Sequence, residues 1–306
     1  MAAIKLTPVL KNYIWGGDKM KTMFGRSGEG NIAESWEISV HPDGVSETEN
    51  DTLAEYLKMN PYAVDESGKP FPILIKYIDA KSNLSVQVHP DDTFARRYEN
   101  DNGKTEMWYI LQADDGAGIY CGFKTDIAKT DFIRGLKKGT IEQLLNFIPV
   151  HEGDCFLIKA GTVHAIGAGC VICEVQQSSN VTYRVYDYNR LGIDGNPRPL
   201  HIDKAMEVIN FKEYKDETNC GEWKAVRGGK MRLLTQCEYF RCRELCLNGV
   251  YEETAKKTFR GICCLRGSGK IDGQTFKQGD SFFISCGELF NLEGEANIMI
   301  VDGERK

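Results

Sequence analysis

Three short segments hold the residue types that could bind a metal ion and move a proton. In LSVQVHPDD (84–92), alternate side chains of an extended strand share one face, which puts Ser85, Gln87 and His89 on the same side. In GKTEMWYIL (103–111), Glu106 opens a strand whose other residues are nearly all apolar, and a carboxylate buried there needs a cation or hydrogen-bond donors. In KAGTVHAIGAG (159–169), His164 follows a strand and a tight glycine turn, and loops at the rim of a β scaffold commonly carry function. Taken singly, each has a plain structural explanation: a hydrogen-bonded core histidine, a strand-end ion pair, a loop histidine. Together they offer one amide oxygen, two imidazoles and one carboxylate. That donor set suits a borderline divalent ion, zinc first and manganese or iron(II) behind it, with no sulfur ligand.

The segments that must position these side chains read mostly as short strands. FPILIKYID (71–79), EMWYILQA (106–113), DCFLIKA (154–160), CVICEVQQ (170–177) and VTYRVYDY (181–188) are rich in β-branched and aromatic residues and bounded by Gly, Asp, Asn or Pro. An all-β sandwich or barrel follows. Apolar positions recur at helical spacing in TLAEYLKM (52–59) and across 125–148, which predicts surface helices covering the strands. A further helix is expected in LHIDKAMEVINF (200–211), opening near Asp203, and the polar stretch 212–229 reads as a connector.

Composition narrows the partners. The chain has 306 residues, a net charge of -6 and a pI near 5.5. It lacks the clustered positive charge that nucleic acid or an anionic membrane requires, and a small molecule is the better partner class. No apolar run approaches the roughly 20 residues needed to span a bilayer, and MAAIKLTPVLKNYIWGG lacks the apolar core of a secretion signal, so a cytoplasmic location is expected. Eleven cysteines are scattered through apolar strands without zinc-finger spacing, which predicts buried reduced thiols. Nothing in the sequence fixes an oligomeric state.

Two stretches resemble the metal-binding turn of the cupin superfamily, in which a Gly-Asp turn leads through a strand and a glycine turn to a histidine. Gly153 and Asp154 lead through Phe156–Ile158 to Gly161 and His164, whereas Gly279 and Asp280 lead through Phe282–Ile284 to Gly287 and Phe290. The resemblance implies a mainly β protein of two cupin-like jelly-roll barrels with a few covering helices. Residues 1–211 would form the metal-binding domain and 212–306 a second barrel without a metal.

Beyond that turn, QVHP, KTEMWY, AGTVHAIG and EVQQSSNVTYRVYDYNR, in that order, resemble the successive active-site blocks of type I phosphomannose isomerases in their short bacterial form. NYIWGG (12–17) and IAESWEIS (32–39) belong to the same pattern, and the match runs from about residue 6 to 211. The resemblance implies an aldose–ketose isomerase that interconverts D-mannose 6-phosphate and D-fructose 6-phosphate through a cis-enediol. It implies one Zn2+ per chain on Gln87, His89, Glu106 and His164, with Arg184 and Glu174 as catalytic residues. Lys104, Ser85, Trp15 and Glu34 fall at substrate-contact positions, with Lys104 or another cation at the barrel mouth pairing with the phosphate. The identity of the general base stays open. A non-catalytic sugar-binding cupin is the main alternative, and an iron(II) oxygenase fits the Gln87-containing donor set poorly.

Overall fold

A computed structural model describes residues 3–192 and 194–303. The described residues form three antiparallel sheets, of six, five and eight strands, with short helices between them. The expected β character is present. None of the three sheets closes on itself, so the two separate barrels expected from the sequence are not seen; the sheets instead share cores across their faces.

The six-stranded sheet is the centre of the molecule, and its middle strand, Cys170–Gln177, is buried along its whole length. It lies between Ile73–Ala80 and Glu106–Ala113. Strand alternation sorts the residues of all three onto two faces. Ile73, Ile75, Tyr77, Met107, Tyr109, Val171, Cys173 and Val175 share one apolar cluster with Phe240, Cys263 and Phe283 of the eight-stranded sheet and with Phe259 just before one of its strands. Ile78, Trp108, Ile110 and Ile172 belong to another cluster on the opposite face, toward the five-stranded sheet. Lys76, Glu106 and Glu174 occupy the same alternate positions as that second set, so the pattern delivers charges into the space between the two N-terminal sheets.

The five-stranded sheet supplies the facing wall. Its Val86–Val88 strand lies between His164–Ile166 and Tyr183–Tyr186. Val86 and Val88 are fully buried in an outer cluster that also holds Phe132 of the Lys129–Lys138 helix. Gln87 and His89 therefore face the opposite way.

The helix at Leu53–Met59 forms where expected, with the Thr52 side chain accepting from the Glu55 N–H at its start. The helix expected across 125–148 is shorter. It stops at Lys138 because Gly139 adopts φ 65°, a one-turn helix follows, and Leu145–Pro149 is a strand paired with Gly118–Phe123. Ile202–Val208 is helical as expected. Most of 212–229 is irregular, interrupted by a short Lys224–Val226 strand at the edge of the eight-stranded sheet. None of the eleven cysteines forms a disulfide; six are buried as expected, Cys155, Cys237, Cys246 and Cys286 are partly buried, and Cys220 is exposed. The Ala3–Leu6 strand pairs with Ser281–Ile284, tying the start of the described chain into the C-terminal sheet.

Candidate metal centre and active-site cavity

Register puts the candidate ligands side by side before any long side chain has to reach. Gln87 is the ladder partner of His164 on one side and of Arg184 on the other. Across the gap, Glu174 sits between Lys76 and Trp108, and Glu106 pairs with Gln176 at the start of its strand. His89 ends the same strand face as Gln87. The result is a closed cluster of His89, Glu106 and His164, whose possible ligand atoms all lie within 4.8 Å of one another.

The hydrogen bonds fix which ring nitrogen is available. His89 Nδ1 lies 2.8 Å from the Val181 carbonyl and His164 Nδ1 lies 2.8 Å from the Thr162 carbonyl. A carbonyl only accepts, so both Nδ1 atoms carry the proton, and each Nε2 presents a lone pair. Those lone pairs face Glu106, with His89 Nε2 3.5 Å from Oε2 and His164 Nε2 3.3 Å from Oε1. Burial, with the Lys104 charge beside it, holds the His89 ring well below its usual pKa, and burial pulls His164 down to about 4. Both rings are thus neutral at pH 7.

Two neutral imidazoles and a carboxylate turned toward one another in a buried site repel unless a cation lies between them. Lys104 supplies one, its Nζ lying 2.6 Å from Glu106 Oε2 and 3.1 Å from His89 Nε2, while Glu106 Oε1 has no hydrogen-bond partner among the described residues. Burial and the nearby Glu174 carboxylate push Glu106 above the ordinary carboxylate range, against the pull of Lys104. The Gln87 amide nitrogen lies 3.4 Å from His164 Nε2 and its oxygen 3.4 Å from Ser85 Oγ, so the amide would have to turn over to offer its oxygen to an ion. The two imidazole lone pairs and the Glu106 carboxylate fit a divalent ion, which would compete with Lys104 for Glu106 Oε2 and His89 Nε2.

A cavity of about 290 Å³ lies beside this cluster and reaches it through Gln87 and Lys104, which line the cavity and contact the cluster. All the other candidate residues line it: Trp15, Glu34, Ser85, Lys104, Glu174 and Arg184. The orienting groups are specific. Glu174 Oε2 accepts from the Trp108 indole at 2.9 Å while its Oε1 has no hydrogen-bond partner. Burial would raise Glu174, but Lys104 and Lys76, 3.7 and 3.5 Å from Oε1, outweigh it and hold the carboxyl below its usual value. Glu34 accepts from the Trp36 indole at 2.6 Å, and Ser85 links Arg184 Nε, at 3.3 Å, to the Gln87 amide oxygen, at 3.4 Å. Among the described residues no carboxylate lies within ion-pair distance of Arg184; Asp187 is taken by Arg190 and Arg198.

The catalytic-domain description of phosphomannose isomerase type I matches residues 3–125. The probable mannose-6-phosphate isomerase GmuF of Bacillus subtilis (strain 168) is 36% identical over 309 residues, covering 96% of this chain and 97% of its own. This chain belongs to the type I phosphomannose isomerase family. The mannose-6-phosphate isomerase of Streptococcus mutans serotype c is 35% identical over 84% of this chain and 83% of its own length. The crystal structure of mannose 6-phosphate isomerase from Bacillus subtilis superposes with a TM-score of 0.92 at 33% identity, covering 98% and 99% of the two chains.

In this phosphomannose isomerase homologue the structure adds cavity residues that the sequence reading missed. Lys76 lies between Glu34 and Glu174, 3.6 and 3.5 Å from them. A lone lysine inside the apolar run FPILIKYID was the available signal. Tyr13 stacks on Trp15 with ring centroids 5.4 Å apart, and Arg198 closes the cavity from a loop remote in sequence, where no local pattern marked it. Lys104, expected toward the phosphate, is 4% exposed and lies against Glu106.

Proposed function

We propose that this enzyme is a zinc-dependent mannose-6-phosphate isomerase, interconverting D-mannose 6-phosphate and D-fructose 6-phosphate through a cis-enediol. The observation that carries the reading is the pair of neutral imidazoles aimed at the buried Glu106 carboxylate beside a polar cavity. Gln87, His89, Glu106 and His164 would hold one ion per chain, which when bound supplies Lewis-acid polarisation of the sugar oxygens.

The chain's own residues provide the rest. Isomerisation removes the C2 proton of the open-chain aldose, leaves a cis-enediolate, and returns a proton to C1 as the O2 proton passes to O1, with no net redox change. Glu174 is the proton carrier we favour, because Trp108 holds one oxygen while the other is free of hydrogen bonds at the cavity wall. Arg184, unpaired with any carboxylate and fixed through Ser85, would stabilise the developing enediolate charge. Lys76 and Lys104 keep Glu174 ionised, and Trp15 with Tyr13 forms an aromatic wall for the sugar. Ser85 and Glu34 would contact hydroxyl groups.

We further read residues 1–211 as the catalytic unit and 212–306 as a metal-free second half, a division supported by the repeated glycine turn. Eleven cysteines without a disulfide suit a reducing compartment, in keeping with a cytoplasmic location. The test is a coupled assay of fructose 6-phosphate formation from mannose 6-phosphate on purified protein, with metal content measured on the same sample. Turnover that is lost on chelation and regained with zinc is the expected result; full turnover by metal-free protein would overturn the metal assignment, and metal-loaded protein without turnover would overturn the activity.

A further inference from the structure

Four cationic side chains line the cavity, and they divide into two groups. Lys76 and Lys104, both 4% exposed, are engaged with the carboxylates Glu34, Glu106 and Glu174. Three carboxylates share these two ammonium groups, which leaves neither lysine open to a phosphate. The arginine end is the reverse. Arg184, Arg190 and Arg198 gather around the single buried carboxylate of Asp187, an excess of two positive charges.

The three guanidiniums are not equivalent. Arg190 is turned into the protein, donating to the Asp187 carboxylate and main-chain carbonyl and to the Asn83 carbonyl, and it does not line the cavity. Arg184 is held by Ser85 and the Pro199 carbonyl next to the metal ligands. Arg198 binds Asp187 through two nitrogens, Nε at 2.7 Å and Nη2 at 2.6 Å, so its plane is fixed, while Nη1 makes no hydrogen bond to protein and the side chain lines the cavity. A guanidinium oriented in advance, with one edge open, is suited to a tetrahedral oxyanion.

We infer that Arg198 anchors the phosphate of the substrate, so that the sugar phosphate is oriented with C1 and C2 toward the metal ligands and its phosphate at the arginine end. Resting on the isomerase reading above, this assigns phosphate selectivity to a residue outside the metal centre and outside the sequence blocks that mark it. Asp187 is then a positioning residue that holds the anchor.

The experiment compares wild type, Arg198→Gln, Arg198→Lys and Arg190→Gln as zinc-loaded full-length proteins. It measures KM and kcat for mannose 6-phosphate, and binding of inorganic phosphate by calorimetry. Arg198→Gln is expected to raise KM and to weaken inorganic phosphate binding by at least about tenfold each, the scale of one lost charge-assisted contact, with kcat within about threefold. Arg198→Lys should recover part of both, and Arg190→Gln should lower the melting temperature while leaving KM and phosphate binding within about twofold. Unchanged KM and phosphate binding in Arg198→Gln, or equal losses in Arg190→Gln, would overturn the assignment. If Arg198→Gln does not fold, Arg198→Lys decides: a KM raised at constant kcat supports the anchor, and wild-type KM rejects it. Arg198-dependent phosphate binding without turnover would keep the anchor and reject the isomerase activity, whereas turnover with Arg198-independent binding would do the opposite.

Discussion

The two glycine turns of this chain are built from the same backbone and used for opposite purposes. Gly153 and Gly279 have φ of 91° and 90°, and Gly161 and Gly287 have 85° and 87°, values open to glycine at no steric cost. The hydrogen bonds correspond as well. Asp154 N–H donates to His151 O as Asp280 N–H does to Lys277 O, and Ile110 N–H donates to Asp154 O as Cys264 N–H does to Asp280 O. One strand over, Glu106 is the ladder partner of Ile158 while Arg260 is the partner of Ile284. Arg260 therefore stands where Glu106 stands, and Phe290 where His164 stands.

The difference lies in what each half does with a buried charge. In the first half the Glu106 carboxylate faces two imidazole lone pairs and one ammonium group, that of Lys104. In the second, Arg260 binds Glu253 at 2.6 Å and two main-chain carbonyls, Arg243 binds Glu253 and Asp302, and Phe290 is buried in an apolar cluster. One repeat gathers two imidazole lone pairs and a carboxylate around a single ammonium group, and the other surrounds its carboxylates with guanidinium groups. A site for a metal requires the first condition, and a stable scaffold favours the second.

The strongest way to break this comparison is to give the first turn the residue of the second. His164→Phe should abolish metal retention and lower activity by more than the roughly 10–100-fold that loss of an outer partner costs a metal site, with little change in melting temperature because Phe fits beside Trp108. Metal content at wild-type level would show that the equivalence of the two turns has no bearing on the ion. In the second half the converse applies. Arg260→Met should destabilise the protein by roughly 3 kcal/mol in denaturant unfolding, the lower end for a broken buried ion pair because Arg243 still holds Glu253, while activity per folded molecule stays unchanged.

Arg184→Ala sharpens the contrast from the catalytic side. It should lower kcat about a hundredfold, the loss of one donor to developing charge, without moving metal content or melting temperature, since no carboxylate is stranded. A large loss of stability with turnover preserved would make it a structural residue. The smallest effect concerns acid. Against the cost of burial, Arg243, Tyr251 and Arg260 hold Glu253 down to about 2, below the roughly 4.3 of an unfolded chain. The unfolded state therefore binds more protons in that window, so this contribution is complete above about pH 4.3 and is lost as pH falls toward 2. Glu253→Gln should flatten that part of the stability–pH curve, and an unchanged slope would assign the acid sensitivity elsewhere.

Much of this was legible in the sequence, for local reasons. The strands Glu106–Ala113 and Cys170–Gln177 have the predicted limits because their apolar, β-branched runs end at turn residues. The segment 145–149 was misread because alternation and helical spacing overlap in a short apolar run, and Gly139 decided the matter by ending the helix. Ser85, Gln87 and His89 share a face because strand geometry has a period of two, whatever the rest of the fold does.

By itself the sequence determined the identity of the donors, their strand phase and the glycine turns, since these depend only on covalent structure and near neighbours. Tertiary structure alone decided that Glu106 comes between His89 and His164, that Lys104 lies against Glu106 instead of at the mouth, and that Arg198 joins Arg184 at one end of the cavity. Those outcomes depend on which sheets face each other, and facing is set by burial of apolar surface summed over strands far apart in the chain, which no local pattern encodes.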